Sequence, residues 1–344
     1  MMYKRLLALL VCLALLPVSS LSLAEESPLS FRTVYDAVAY VQEHQPMELD
    51  LGRVRMYPED LRKIKEAMPE NAVLHFITTW LDVTISDTDR ELNLAGASSR
   101  YSASQLEDLV YLLPDLEKLD ISKGYRLPTQ TIAAFVDAHP ELQIIWLIVL
   151  NSNHYLYSTD TAYSTFNSSN EPNKLTAEQL ELLKYAPGLK ALDLGHNYIQ
   201  TLDFLRFFPD LEFLILACNY IEDIEMIGTL KHLKYLELFT NKVTDVSPLA
   251  NCTELLDLNL SWNKTVQDVS SLSTLTSLER FWGTHMESLS AEAKEDFIRS
   301  HPGTDVRFNA QNPTSDGWRE HPRYDHYIYC LHAHTWIPFD QPLP

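Results

Sequence analysis

The sequence predicts an α/β solenoid: a stack of coils, each supplying one short parallel strand, with helices behind the strands of the earlier coils. Three observations carry that fold class. Four segments fall into register, "LKALDLGHN" from Leu189, "LEFLILACN" from Leu211, "LKYLELFTN" from Leu233 and "LLDLNLSWN" from Leu255, their starting leucines 22 residues apart. The leucines within each segment alternate, as on a strand with one buried face. One such coil cannot bury that face alone, so coils must stack.

The rest of each unit repeats as well. Ile199, Ile221 and Val243 sit two places after the asparagine, Leu202, Ile224 and Val246 three later, then Leu205, Ile227 and Leu249. A weaker fifth copy, "LERFWGTH" from Leu278, follows after 23 residues, the extra one lying near Thr265. Asn197, Asn219, Asn241 and Asn263 are expected to form a structural ladder inside the turn, their amides bonding backbone groups that the bend leaves unpaired. His285 at the fifth place marks where the ladder should end.

Upstream the units are longer. "SASQLEDLVYLLPDLEKLDI", "PTQTIAAFVDAHPELQIIWL" and "TAEQLELLKYAPGLKALDL" share a Ser/Thr or Pro start, an amphipathic helix, a proline stop and a strand. Ser102 and Thr176 are expected to cap the helices, and Pro114, Pro140 and Pro187 to end them. "YPEDLRKIKEAMPENAVLHF" and, far downstream, "LSAEAKEDFIRSHPGTDVRF" follow the same plan, and Phe31 to Pro46 with "MELDL" reads as the first, capping copy. "TWLDVTISDTDRELNL" and "WLIVLNSNHYLYSTDTAYSTF" each read as an inserted strand pair.

This spelling resembles the leucine-rich repeat family, and its 22-residue form is similar to that of internalin-type bacterial surface proteins. The resemblance covers Leu189 to about His285 and implies a curved solenoid whose strands line the concave side. The ending "GWREHPRY" from Gly317 is similar to one found in secreted clostridial leucine-rich repeat proteins. The expected layout is 1–24 leader, 25–188 longer helix-containing repeats with inserted strand pairs, 189–310 regular repeats with a capping repeat, and 311–344 an aromatic, histidine-rich tail. That tail breaks the repeat, and Trp318, Tyr324, Tyr327, Tyr329 and Trp336 are expected to cover the apolar end of the last coil.

Lys4 and Arg5, the apolar run Leu6 to Leu16 and the small-residue end at Ala24 have the order of a secretory signal peptide cleaved near Ala24. Cys12 reads as an apolar residue of that leader. The run is shorter than the roughly 20 residues of a membrane-spanning helix, so the expectation is a secreted or envelope-associated protein with no transmembrane segment in the mature chain. Cleavage lowers Lys plus Arg from 27 to 25 against 47 acidic residues, a mature charge of −22. Phosphate backbones repel such a chain, which argues against nucleic acid as a partner. The three remaining cysteines, Cys218, Cys252 and Cys330, are too few and too widely spaced for a disulfide framework; Cys252 falls at a core place.

No nucleotide, zinc-protease or hydrolase motif is spelled out, and no cofactor is implied. Asp87, Asp89 and Asp160 lack the glycine and final glutamate of a calcium loop and read as turn aspartates. His326, Cys330, His332 and His334 are weak metal candidates, with His332 and His334 sharing a face if the segment is a strand. Interleaved aromatics favour histidines packed in the tail.

Attention therefore falls on the places between the leucines, where side chains point away from the core. Phe213, Tyr235, Glu237, Phe239, Asp257, Asn259, Trp262, Arg280 and Trp282 fall there, and a solvated strand face needs no Phe, Tyr or Trp. Trp146 with Ile144 and Ile148 adds apolar surface if the register holds upstream and no inserted strand covers it. Two readings follow. The residues form a ligand-binding face with aromatic anchors, or the tail or an inserted hairpin folds over them as secondary core. The first predicts a non-enzymatic recognition protein whose partner is a protein or peptide, with a cell-wall glycan stacking on the aromatics as the alternative and an enzyme or metal site in the tail, resting on Cys330 and the nearby histidines alone, as a remote one.

Overall fold

The structure, a computed structural model, describes residues 29–97, 99–123, 126–168 and 174–344; the leader and Cys12 lie outside them. The coils follow one another along the chain. The N-terminal part runs α1 (Val34–His44), β1 (Glu48–Arg53), α2 (Pro58–Ala67), β2 (Val73–Trp80), β3 (Val83–Ser86), β4 (Glu91–Asn93), α3 (Ala103–Leu112), β5 (Lys118–Asp120), α4 (Thr129–Ala138), β6 (Gln143–Ile145), β7 (Leu147–Val149), β8 (Tyr155–Tyr157), β9 (Ala162–Ser164) and α5 (Ala177–Glu181). The regular coils supply β10 (Ala191–Asp193), β11 (Phe213–Ile215), β12 (Tyr235–Glu237), β13 (Asp257–Asn259) and β14 (Arg280–Trp282). Then come α6 (Ala291–Ser300), β15 (Asp305–Arg307) and α7 (Pro322–Ala333).

Local chemistry sets the helix boundaries. The hydroxyls of Thr33, Ser102 and Thr176 each accept the backbone N–H three residues on, and Asp36, Gln105 and Gln179 return the bond to the capping residue's own amide. Pro114 and Pro140 stand two residues past the ends of α3 and α4, and Pro187 follows the 3₁₀ turn Leu182–Tyr185 that continues α5. Coils of 22 residues leave less chain for the back of the stack. Single 3₁₀ turns replace helices there, at Asp203–Phe207, Glu225–Thr229, Ser247–Asn251 and Ser270–Thr274.

Seven strands form one parallel sheet in the order β15-β14-β13-β12-β11-β10-β9. It therefore begins one coil before the regular spacing does. Register is strict: Leu192, Leu214, Leu236, Leu258, Phe281 and Val306 align as neighbours. Their side chains point inward, and all but the half-buried Val306 are fully buried. Gly283 replaces the leucine of Leu194, Leu216, Leu238 and Leu260 because a Cβ there would lie 2.7 Å from the Phe281 ring and 2.8 Å from Phe308. Upstream, hairpins interrupt the stack. β3 returns antiparallel on β2 through Leu81 and Asp82, both left-handed, and β8 on β7. The strands there form separate sheets, β1-β2-β3 and β4-β5-β6.

Trp146 and Ile148 are 1% and 0% exposed, with Trp146 packed edge-on against Tyr185. The expected apolar outer surface at Ile144, Trp146 and Ile148 is corrected: these residues are core. The register there places Ile144 inward beside Leu119.

The turn after each regular strand is held by asparagine. Asn219 Oδ1 accepts the N–H groups of Asn197 and Ile199 at 3.0 and 2.9 Å, and its Nδ2 donates to the carbonyls of Leu194 and Leu216. Asn241 accepts from Ile221 and Asn263 from Val243, and each donates to carbonyls of its own and the preceding coil. Each amide thus closes its own bend and bonds it to the previous one. Among the described residues no helix is long and apolar enough to cross a membrane. Asn219→Ala strands the buried N–H groups of Asn197 and Ile199 and the Leu194 carbonyl, while Leu216 keeps its bond from Asn241. It should lower stability by about 2–4 kcal/mol, read from urea unfolding. The exposed Asn251→Ala should stay within about 0.5 kcal/mol.

Candidate interaction face and the tail that covers it

The outer face of the seven-stranded sheet is built from two rows. Ala162, Ala191, Phe213, Tyr235, Asp257, Arg280 and Asp305 align as neighbours in one, and Ser164, Asp193, Ile215, Glu237, Asn259, Trp282 and Arg307 in the other. Phe213 and Tyr235 stack at 4.6 Å. The face is not open. Phe213, Tyr235, Glu237, Asp257 and Asn259 are 0% exposed, Trp282 1%, Arg280 5% and Phe239 6%. Their cover is the chain's own tail, so the expectation of an exposed ligand-binding patch at these residues is corrected.

The tail is a helix where the sequence reading saw no periodicity. Pro322 occupies the first turn of α7, where its missing N–H costs nothing, and the His321 ring accepts the Arg323 N–H. Arg323, His326, Tyr327, Cys330 and Leu331 form the buried stripe, the i, i+3, i+4, i+7, i+8 spacing of one helix face. Tyr327 packs on Phe213 at 4.4 Å and Tyr235 at 5.1 Å, and stacks on Trp336 at 5.6 Å. Trp318 lies 5.1 Å from Trp282 and 5.6 Å from Tyr235. The expected cover over the last coil is corrected in place: the tail runs back across the sheet face from β14 to β9. Phe297 and Phe308 pack at the last coil against Phe281.

Charge is arranged with the same care as apolar surface. Glu237 accepts hydrogen bonds from the Tyr235 hydroxyl at 2.5 Å, Trp318 Nε1 at 2.7 Å and Arg319 Nη2 at 3.0 Å. Asp257 Oδ1 takes Arg280 Nε at 2.5 Å and Arg323 Nη2 at 3.0 Å, while Arg323 also reaches Glu279 at 2.7 Å. Arg280 lies over the Trp318 ring and donates to that residue's carbonyl. Asn259 and Trp282 donate to the carbonyls of Pro313 and Ser315. Burial, then Glu237, holds the Tyr235 hydroxyl protonated far above its usual range. Burial pulls the Arg319 guanidinium down, and Glu237 more than reverses this, so it stays charged. Burial also raises the Asp193 carboxyl, against hydrogen bonds from Gly195 N and Ser164 Oγ.

Trp262 is the candidate that the tail leaves half-exposed. It sits in a left-handed turn, φ 64°, as do His196, Cys218, Thr240 and His285 one coil apart. That turn swings the eighth place off the face onto its rim, so strand alternation fails there. Trp262 packs on His285 at 4.3 Å with Lys264 over its ring.

The metal candidates disperse. His326 and Cys330 both reach the Ile337 carbonyl, His332 stacks on Phe166, and His334 pairs with Asp160. Among the described residues no group of three or more His, Cys, Asp or Glu is placed to hold a metal ion. All three cysteines are free. Beyond the tail, the outer face of β4, β5 and β6 stays accessible, with Glu91 and Asn93, Lys118 and Asp120, and Gln143 and Ile145 in register.

The family profile "Leucine Rich repeats (2 copies)" matches residues 209–251. The fold is a leucine-rich repeat solenoid. Among solved structures it is similar to internalin C2 of Listeria monocytogenes, with 16% identity, TM-score 0.32, and coverage of 64% of this chain and 84% of the other. A second Listeria monocytogenes internalin, inlF, has 14% identity, TM-score 0.31 and coverage of 81% and 91%. A leucine-rich repeat protein of Leptospira interrogans has 16% identity, TM-score 0.28 and coverage of 76% and 71%. No curated protein matches the sequence.

Two measurements test the leucine-rich repeat face and its cover. Trp318→Ala removes a wholly buried indole and the N–H that Glu237 accepts, and should cost about 3–5 kcal/mol in urea unfolding; a loosely docked tail would lose almost nothing. The Asp160 hydrogen bond raises the His334 pKa. The stability this pair contributes is fully present below the ordinary histidine pKa and is lost as pH rises through the raised one. The urea midpoint should therefore fall across that window, and His334→Asn should lessen the fall, leaving the share of the His75–Asp87 pair; identical pH profiles would refute the coupling.

Proposed function

We propose that the chain is a non-enzymatic recognition protein that holds a protein or peptide partner on the sheet's outer face, the concave side of this family. The observation that supports this is the tail. The face already takes a helix through buried Trp, Arg and Tyr anchors, the residue types that dominate protein interfaces. With β9 to β14 filled in cis, the partner's share is the accessible face of β4 to β6, around Glu91, Lys118, Asp120 and Ile145. Phe213, Tyr235, Glu237, Phe239, Asp257, Asn259, Arg280 and Trp282 act in this reading as the receptor for the tail, and Trp262 stays a rim contact. A glycan loses its stacking platform under the tail, so the peptide reading is preferred. The basic, apolar and small-residue order of residues 1–24 supports export, with the mature chain acting outside the cell or at its envelope.

A peptide display library panned against the chain tests the reading. Enriched peptides should bind the Lys118→Glu, Ile145→Asp double variant at least roughly tenfold more weakly, and bind Arg206→Gln, on the back of the stack, unchanged. Peptides indifferent to the double variant would place recognition elsewhere.

A further inference from the structure

A second accessible backbone edge lies at the first coil. β1 is the edge of its sheet, and among the described residues its outward side takes one backbone hydrogen bond, from Leu29 N to the Asp50 carbonyl. Past the left-handed Gly52 the strand ends at Arg53, and the chain runs on with no further left-handed residue to Tyr57, which is extended. Val54 N donates inward to the Ile77 carbonyl, and the Met56 carbonyl accepts Thr78 Oγ1. By alternation, the backbone groups of Arg53 and Arg55 face the open edge. Both side chains are exposed on one face of this stretch, and with Arg32 they line a cleft of about 410 Å³. A second cleft of about 450 Å³ adjoins the same stretch beside Tyr57 and Thr79.

The charge here runs against the rest of the molecule. The chain carries a net −20, and most of its other arginines pair with acids, as Arg62, Arg206, Arg299 and Arg307 do. Arg32, Arg53 and Arg55 form no ion pair among the described residues. The acids around it each hold another group: Asp36 the Thr33 amide, Asp50 the Gly52 amide, and Asp60, which also lines the cleft, Lys63. An acidic segment approaching this protein is repelled by most of the surface and attracted to one edge.

We infer that the edge Arg53–Tyr57 takes an extended, acidic segment of a partner protein, added as a strand beside β1. Residues i and i+2 of a strand share a face about 6.6–6.8 Å apart, so Arg53 and Arg55 match carboxylates placed at alternate positions of the incoming strand. Each guanidinium can grip a carboxylate with two parallel N–H bonds. The outward amides and carbonyls supply the ladder that strand addition requires. A sulfated polysaccharide could answer the charge but has no such ladder, which is why the occupant is a peptide. This rests on the recognition reading above and names the chemistry of the partner at one end of the open face.

The test uses the mature chain and a fluorescein-labelled octapeptide of alternating Glu and Val, followed by anisotropy. Binding should be measurable below about 1 mM and should weaken with salt. It should fall at least roughly tenfold for the Gln/Val counterpart and for the Arg53→Gln, Arg55→Gln double variant. Methylating alternate peptide amides should abolish it, because strand addition uses them. The variant's thermal melt should match the parent's, since neither side chain is buried. Equal binding by the Gln/Val peptide or by the double variant, or no binding at all, overturns the proposal. A heparin hexasaccharide that binds where the peptide does not overturns it as well. Loss of library peptides in the Lys118, Ile145 variant with an indifferent arginine edge would leave the sheet-face reading standing alone; the converse would leave only the edge.

Discussion

Two carboxylates at zero exposure, Glu237 and Asp257, constrain this fold more tightly than any leucine. A buried ionised carboxylate is stable only when countercharge and hydrogen bonds replace its water. Glu237 draws all three of its donors from close by on the sheet and from the tail, and two of them, Trp318 and Arg319, belong to the tail. Asp257 shares Arg280 of the next strand with Arg323 of α7. Remove the tail and Glu237 would keep only the Tyr235 hydroxyl and Asp257 only Arg280, beside aromatics stripped of their cover. The sheet face and the last thirty residues are therefore one unit, and the sequence of each is intelligible only through the other.

That dependence explains what could be read from the sequence and what could not. Period and alternation sufficed for the coils, because every copy repeats the same local problem and solves it with Leu and Asn. Capping needed only Ser102, Thr176 and their partners three residues on. The tail escaped because its helical stripe starts with Arg323 and includes His326 and Cys330. A search for apolar periodicity passes over residues that are buried by pairing rather than by hydrophobicity. The spacing was present, and Pro322 after a capping His321 was its start signal. Trp262 was misplaced for a different reason. Strand alternation holds for three residues in these coils, and the left-handed turn that follows redirects the side chain. Ile144 was misread by one place, since Gln143 and not Ile144 takes the outward position beside Lys118, and Trp146 and Ile148 because β6 ends at Ile145 and a hairpin begins two residues later.

The same economy separates the two halves of the molecule. In the regular coils the rows of the outer face are large, apolar or charged in complementary fashion, and the tail fills them. In β4 to β6 the corresponding rows read Glu91, Lys118, Gln143 and Asn93, Asp120, Ile145, a mixed and solvated set with an ion pair, Lys118 to Glu91, across neighbouring strands. Exposed pairs of this kind contribute little to stability, so the fold does not depend on them. A face that is filled where it is aromatic and open where it is polar is not a site left half-built.

Why the solenoid should fill its most adhesive surface with its own chain follows from the free energy of exposed aromatics. Phe213, Tyr235, Trp282 and Trp318 each carry a large apolar area, and left uncovered together they would form a continuous patch of the kind that drives self-association. A tail in cis removes that hazard without a concentration threshold, since its local concentration is set by the short connection from β15 rather than by the medium. The aromatics that looked like a ligand site are then the core of the tail's docking, and the rows left open at β4 to β6 are polar.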